Sequence, residues 1–424
     1  MTSDSKTDNY KWLLLGLLWV TYFLQQGTRQ MYNAMLPQIK LDFVGVTDFQ
    51  FGLIGSVFVL VYGLCVPFAG ITADLYRRKW TLALGTLLFS LGIFISGFVT
   101  TIGLLLISYS VLNAVGQCMV PAPSTSLIAQ FHTDTRSTAL SIYQMALYIG
   151  IVICSCVSGW VSGLSQGSWR WAFLIFGAFG ILWYFVLFFF LRDTPAAPKV
   201  SAQGEYVSKT TFWEIIRAVL FKPSIILMTL AFGMCLYGAN GYKTWMAVYL
   251  KNSFSTLTPA SAAFHSVFWF FAGALVGIAV ACRISDRIAK KRPAFRMEMN
   301  FIGLALAAPF VVLVVHVHGF VACCAALFFY GMAQGIYDSN FFAALYDVVE
   351  PRFHSAATGL FCCGAFIIGS FAPATLGWMS GCLSMRAGFS SLAIFYLAGA
   401  GFIAIARFFF LQRDFVKTPE IDAP

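Results

Sequence analysis

The chain has 424 residues, of which 59% are hydrophobic and 10% charged, with a mean hydropathy of +0.79. This excludes a soluble globular domain, which carries about 25% charged residues. A net charge of +10 would suggest nucleic acid in a soluble protein. Here the basic residues lie in short loops between apolar runs, so they report membrane orientation and no nucleic-acid partner is expected.

Apolar stretches long enough to cross a bilayer lie at 12–35, 49–73, 80–99, 102–130, 137–163 and 170–191. A polar break follows, and then come 224–250, 260–283, 294–315, 318–346, 355–380 and 386–411. The predicted fold is an all-α membrane protein of twelve transmembrane helices in two six-helix pseudo-repeats. Residues 1–191 form the N-terminal bundle, 192–222 a cytoplasmic linker, and 223–424 the C-terminal bundle with a short tail. No cleavable signal peptide is evident, because the first stretch is too long and lacks a small-residue cleavage site.

Basic residues alternate between loops. Only Lys40, Arg170, Lys251 and Arg386 fall on one side, and the positive-inside bias puts both termini and the linker in the cytoplasm. An even number of spans requires the same. The absence of any Asn-x-Ser/Thr sequon leans toward a bacterial inner membrane, with lipid as the surrounding partner and the chain read as a monomer. The eleven cysteines are scattered singly or in adjacent pairs within apolar runs and read as reduced core residues.

Span 1 carries a polar stripe at helical spacing: Tyr22, Gln25, Gln26, Arg29, Tyr32 and Asn33. Holding Arg29 near the bilayer centre costs about 2.5–3.5 kcal/mol on insertion scales, so it must face protein, water or an anion. The stripe is read as the wall of a polar cavity that receives something negative. In span 4, Asn113 and Gln117 are one turn apart, as are Gln144 and Tyr148 in span 5. Asp338 is the only carboxylate well inside a span, with Gln334 one turn before it. It is read as a proton carrier or as the static partner of a buried cation. His265 reads as a packed residue, and the pair His316 and His318 makes a poor metal site. No metal, cofactor or nucleophile-and-base set is visible, so no enzyme is expected.

The halves echo each other. Asp74, Arg77 and Arg78 after span 2 match Asp286 and Arg287 after span 8, an offset of 286 − 74 = 212 residues. Two such repeats suit alternating access around a midplane site. On these features the chain resembles the major facilitator superfamily over essentially its whole length. The resemblance implies that Asp74, Arg77, Arg78, Asp286 and Arg287 latch the cytoplasmic side.

Within the superfamily it resembles the anion:cation symporters and organophosphate:phosphate antiporters. Arg29 with Pro37, Trp169-Arg170-Trp171-Ala172-Phe173, the run Arg192 to Pro195, and Gly238, Trp245 and Tyr249-Leu250 carry that likeness. Departures stand beside it. Thr28 occupies the place of an acidic residue in many sugar-acid symporters, and Ser110 and Gln117 the places of an Arg and a Glu. Ala239 occupies the place of a second antiporter Arg. Lys243, one turn later, either repairs that gap or snorkels to the outer interface.

The predicted function is secondary active transport of a small organic anion, a sugar acid or related carboxylate, with proton-coupled uptake. Arg29, Tyr32, Asn113, Gln117, Gln144, Asn240 and Lys243 are the candidate substrate contacts, and Asp338 the coupling residue. The nearest rival is an organophosphate:phosphate exchanger, in which a counter-anion replaces the proton. A non-transporting membrane sensor is a further alternative.

Overall fold

The computed structural model of the protein describes residues 4–75, 78–132, 135–192, 222–289, 292, 294–350 and 354–415. Twelve helical spans follow the hydropathy pattern. They are α1 (Asp4–Asp42), α2 (Asp48–Leu75), α3 (Arg78–Ser96), α4 (Ile102–Phe131), α5 (Arg136–Ser162) and α6 (Trp169–Phe190). Then come α7 (Pro223–Ser253), α8 (Pro259–Ala289), α9 (Phe295–His316), α10 (Phe320–Tyr346), α11 (His354–Ser370 and Ala372–Cys382) and α12 (Met385–Asp414). Among the described residues there is no strand. Among the described residues, eleven of the helices are long and apolar enough to cross a membrane. The exception is α1, whose polar stripe dilutes its hydropathy.

Sequence periodicity does not reveal the interruptions inside the spans. A π-helical stretch, Leu106–Leu112, lies within α4. The main helix of α10 ends at Asp338 and resumes at Phe341, and α11 breaks at Phe371 before Pro373. Prolines 37, 67 and 309 sit inside continuous helices, a placement that membrane helices tolerate. Gly45 and Gly319, at φ of +86° and +102°, turn the chain between α1 and α2 and between α9 and α10.

The chain forms two compact units. The first comprises Met1–Ala197, Asn240–Phe268 and Ser370–Gly388. In it α1 packs along α5, α3 along α6, and α2 along the second half of α11. Its core joins Leu14, Leu18, Tyr22, Val120, Leu127 and Tyr143. Gly52 lies so close to the Pro373 carbonyl that a Cβ would overlap it. Ser56 accepts the Ala374 N–H (3.0 Å), and Trp245 Nε1 donates to the Pro373 carbonyl (2.8 Å). Lys40 pairs with Asp48 at 2.5 Å, and Asp48 also accepts from Ser380 Oγ at 2.9 Å.

The second unit comprises Pro198–Ala239, Trp269–Gly369 and Phe389–Pro424. Here α9 packs along α10. Two G-x-x-x-G rows, Gly273/Gly277 on α8 and Gly331/Gly335 on α10, interlock. A Cβ on any of the four would land on a carbonyl of the facing helix: Phe328, Met332, Phe270 and Ala274 respectively. In lipid, helices gain little from hydrophobic association, so such close backbone contact carries the pairing. Phe189 of the first unit and Phe408 of the second are exposed at 75% and 77%.

At the end of α1, Asp42 accepts from Trp169 Nε1 (2.8 Å) and Arg170 Nη1 (2.7 Å), while the guanidinium also lies 4.2 Å from the Trp169 ring centroid. Asp42→Ala strands the donor of fully buried Trp169 and removes the ion pair of Arg170, whose side chain is 33% exposed. It is expected to lower stability by about 1–3 kcal/mol, read as an earlier thermal melt of the purified protein. An unchanged melt counts against this tie as a structural element.

Candidate functional site

In the first unit, α1 presents Arg29 half-buried, its guanidinium carbon 4.6 Å from the Tyr62 ring centroid and 5.2 Å from that of Phe58. Among the described residues no carboxylate lies within ion-pair distance of it. Tyr109 on α4 donates to the Arg29 carbonyl at 2.7 Å, fixing the backbone under the side chain. Phe58 and Tyr62 are one turn apart on α2 and stack at 6.4 Å. The pair is a signal present in the sequence but unused there, because nothing local says that this face of α2 meets Arg29.

Next to Arg29, Thr28 is turned back on its own helix. Its hydroxyl donates to the Leu24 carbonyl at 2.8 Å and accepts from Gln117 Nε2 at 3.4 Å. Gln117 Nε2 also donates to Asn113 Oδ1 (3.0 Å), and Gln25 Nε2 to the Gln117 carbonyl (2.6 Å). Gln25, Asn113 and Gln117 are fully buried between α1 and α4. Three of their atoms, Gln25 Oε1, Gln117 Oε1 and Asn113 Nδ2, have no hydrogen-bond partner. Buried polar groups are nearly always paired, so this cluster holds unspent hydrogen-bonding capacity beside Arg29.

The other candidates fall in different settings. Tyr32 is fully buried and donates to the Phe51 carbonyl at 2.8 Å, so its hydroxyl ties α1 to α2. Gln144 is exposed on α5. Asn240 is buried and Lys243 half-buried on α7. Gln30 Nε2 donates to the Lys243 carbonyl at 3.3 Å, and Gln30 Oε1 accepts from Asn33 at 3.1 Å. The residue after Arg29 thus holds the backbone of Lys243.

Of the latch residues, Arg77 lies outside the described residues, as do the side chains of Asp74 and Asp286. Arg78 is buried and donates to Gln130 at 2.8 Å, joining α3 to α4. Arg287 is exposed. In the second unit, Arg296 pairs with Asp347 at 2.7 Å. Burial pushes the Asp347 carboxyl above the usual carboxylate range, with Arg296 pulling the other way.

Asp338 closes the first part of α10 and is exposed. It accepts from Gln334 Nε2 at 3.0 Å. Gln334 Nε2 also reaches Cys235 Sγ of α7 at 3.0 Å, and Gln334 Oε1 accepts from Tyr396 of α12 at 3.3 Å. Tyr396 and Tyr330 share a hydroxyl–hydroxyl bond of 2.6 Å. Tyr330, Gln334 and Asp338 follow at four-residue spacing, a row legible in the sequence beyond its last two members.

The geometry is that of a helical membrane bundle with a cation in one unit that has no carboxylate partner among the described residues, and a hydrogen-bonded carboxylate in the other. The profile of the Major Facilitator Superfamily matches residues 18–373. The chain belongs to that superfamily. It is a multi-pass membrane protein of that fold. Spinster proteins are among the curated relatives that it matches, and they lend no support to the symporter and antiporter branches. It is 26% identical over 320 residues to Protein spinster homolog 1 of Bos taurus, covering 71% of this chain and 59% of that one. To Protein spinster of Drosophila melanogaster it is 23% identical over 313 residues, covering 72% and 51%. A sphingosine-1-phosphate transporter of Mus musculus is 23% identical over 232 residues, covering 53% and 41%. The chain thus spans about half to three-fifths of the length of the first two relatives. A bacterial homolog of the human lysosomal transporter spinster, solved inward-facing and unoccupied, superposes with a TM-score of 0.84 at 20% identity, covering 96% of this chain and 99% of that one.

Proposed function

We propose that this protein carries an organic anion across the bacterial inner membrane by alternating access, taking it up together with a proton. Two six-helix halves, 1–191 and 223–424, rock about the linker 192–222, with both termini in the cytoplasm. The observation that carries this reading is Arg29: a half-buried guanidinium within a span, with no carboxylate partner among the described residues and two aromatic rings beside it. A cation held this way awaits an anion, because an intramembrane charge is retained only where something compensates it.

The substrate is a carboxylate bearing hydroxyls, such as a sugar acid. Its carboxylate binds Arg29, and the unspent amide atoms of Gln25, Asn113 and Gln117 take its hydroxyls when α1 and α4 part. Thr28 and Gln117 offer no proton carrier, which leaves that role to Asp338. The rings of Tyr62 and Phe58 favour a second reading, in which the anion is a phosphomonoester with an apolar body. The sphingosine-1-phosphate transporter among the relatives lends that reading support.

Counterflow of labelled sugar acids and phosphomonoesters in proteoliposomes separates the two substrates and separates transport from sensing. In the same vesicles, Asp338→Asn is expected to abolish accumulation driven by a pH gradient while keeping exchange, because an amide cannot cycle a proton. Normal pH-driven accumulation in that variant removes the coupling role and leaves anion exchange.

A further inference from the structure

We infer that Gln334 is a positioning residue that ties the protonation state of Asp338 to Tyr396 and Tyr330, through a hydrogen-bonded row crossing from α10 to α12. The inference rests on the reading of Asp338 as the coupling group and adds the means by which the helices sense it. The bonds run in one direction. Tyr396 donates to Gln334 Oε1, and the same amide donates through Nε2 to Asp338 Oδ1. Tyr330 and Tyr396 continue the row at 2.6 Å. Tyr330 and Tyr396 are fully buried and Gln334 nearly so, whereas Asp338 is exposed.

The charged carboxylate is the stronger acceptor in this arrangement. A proton taken from water on Oδ2 leaves Oδ1 a weaker acceptor, and one taken on Oδ1, the atom bonded to Gln334, makes it a donor that faces the amide N–H, itself a donor. The clash is relieved if the Gln334 amide turns over, presenting Oε1 to Asp338 and Nε2 to the Tyr396 oxygen. Tyr396 then accepts from Gln334 and swings its own O–H toward Tyr330. One proton has entered, at Asp338, and none has left. The rest of the row has changed direction by rotating an amide and the two tyrosine hydroxyls.

This reversal reaches three helices. Turning the amide exchanges its bond to Cys235 on α7. The Tyr396 ring on α12 lies against Gly238 of α7, so closely that a Cβ there would overlap it. Tyr330 on α10 touches Phe270 of α8. Among the described residues, the titratable groups set around the row include Tyr330 and Tyr337 from α10, Cys235 from α7 and Tyr396 from α12. Asp338 is the carboxylic acid of the row and so the group that switches it.

The tyrosine hydroxyls should therefore set where Asp338 titrates. In the resting direction Tyr396 holds the amide so that its N–H faces the carboxylate, and hydrogen bonds to the charged form favour that form. Removing the Tyr396 hydroxyl frees the amide and weakens that preference. Infrared difference titration of the purified full chain, with Asp338→Asn subtracted, isolates the Asp338 carboxyl band. In Tyr396→Phe its midpoint is expected to rise by about 0.5–1 pH unit, the size of one hydrogen bond. Tyr330→Phe, which keeps Tyr396 in place, should move it the same way by less. The pH profile of gradient-driven uptake should shift with the band. An unmoved midpoint in both phenylalanine variants overturns the row as a link while leaving Asp338 as coupler. If Asp338→Asn removes no titrating band or leaves pH-driven uptake intact, the coupling reading falls first and the row with it.

Discussion

Arg29→Lys is expected to reach the membrane in normal amount and to lose uptake by about 10–100-fold, the worth of a bidentate, charge-assisted pair. The two side chains carry the same charge, so expression and topology should not distinguish them. What changes is geometry. The guanidinium is a plane set beside the rings of Tyr62 and Phe58, at 4.6 and 5.2 Å, on a backbone fixed by Tyr109. An ammonium is a point donor that cannot offer a carboxylate or phosphate the same fork. Counterflow of the wild-type substrate measures the loss. Near-wild-type counterflow in Arg29→Lys would remove Arg29 from the anion site.

Gly331→Ala is the second large effect, and it acts on folding. Adding one methyl group to a helical glycine normally helps, by about 0.5–1 kcal/mol. At Gly331 the new Cβ falls on the carbonyl oxygen of Phe270, part of the backbone of α8, which has no flexible side chain to yield. The helices must separate along the whole interlocked row, so the cost should reach or exceed the about 1–3 kcal/mol of an ordinary overpacked site. Gly401→Ala is the matched control, because its Cβ meets nothing within 4 Å. The expected result is an early melt and aggregation for Gly331→Ala and none for Gly401→Ala. Equal behaviour of the two would mean that α8 and α10 are not held by this contact.

The contrast between those glycines shows what was legible in the chain. Hydropathy located the span ends within about three residues except at both ends of α1, Asp4 and Asp42 against an expected 12 and 35, and at the end of α8, Ala289 against 283. Membrane helices must satisfy their backbone internally, so their limits are written in composition. The site was legible in kind and less so in arrangement. Helical spacing placed Tyr32 with Arg29, but spacing cannot say whether a polar face meets a cavity or a neighbouring helix. Tyr32 meets the carbonyl of Phe51. Gln117 was singled out by its position, and the structure adds its partner Gln25 and the orphaned atoms around it. Tyr62, Phe58 and Tyr396 come from distant segments and were out of reach, since only the packing brings them to Arg29 and Gln334.

The π-helical stretch of α4 has a consequence for how this chain is lined up with others. A π turn holds one residue more than an α turn, and each residue of an α-helix advances the side chain by about 100°. Leu106–Leu112 lies just before Asn113 and Gln117, so it sets the rotational frame of both. A homologue with a plain α-helix there would need one residue fewer to keep the same face toward α1. Matched without a gap, it would assign the roles of Asn113 and Gln117 to their neighbours, one step around the helix. Correspondence along α4 is thus a matter of angle as well as order, and a single deletion among those seven residues would turn the amides away from α1 while leaving each of them in the chain.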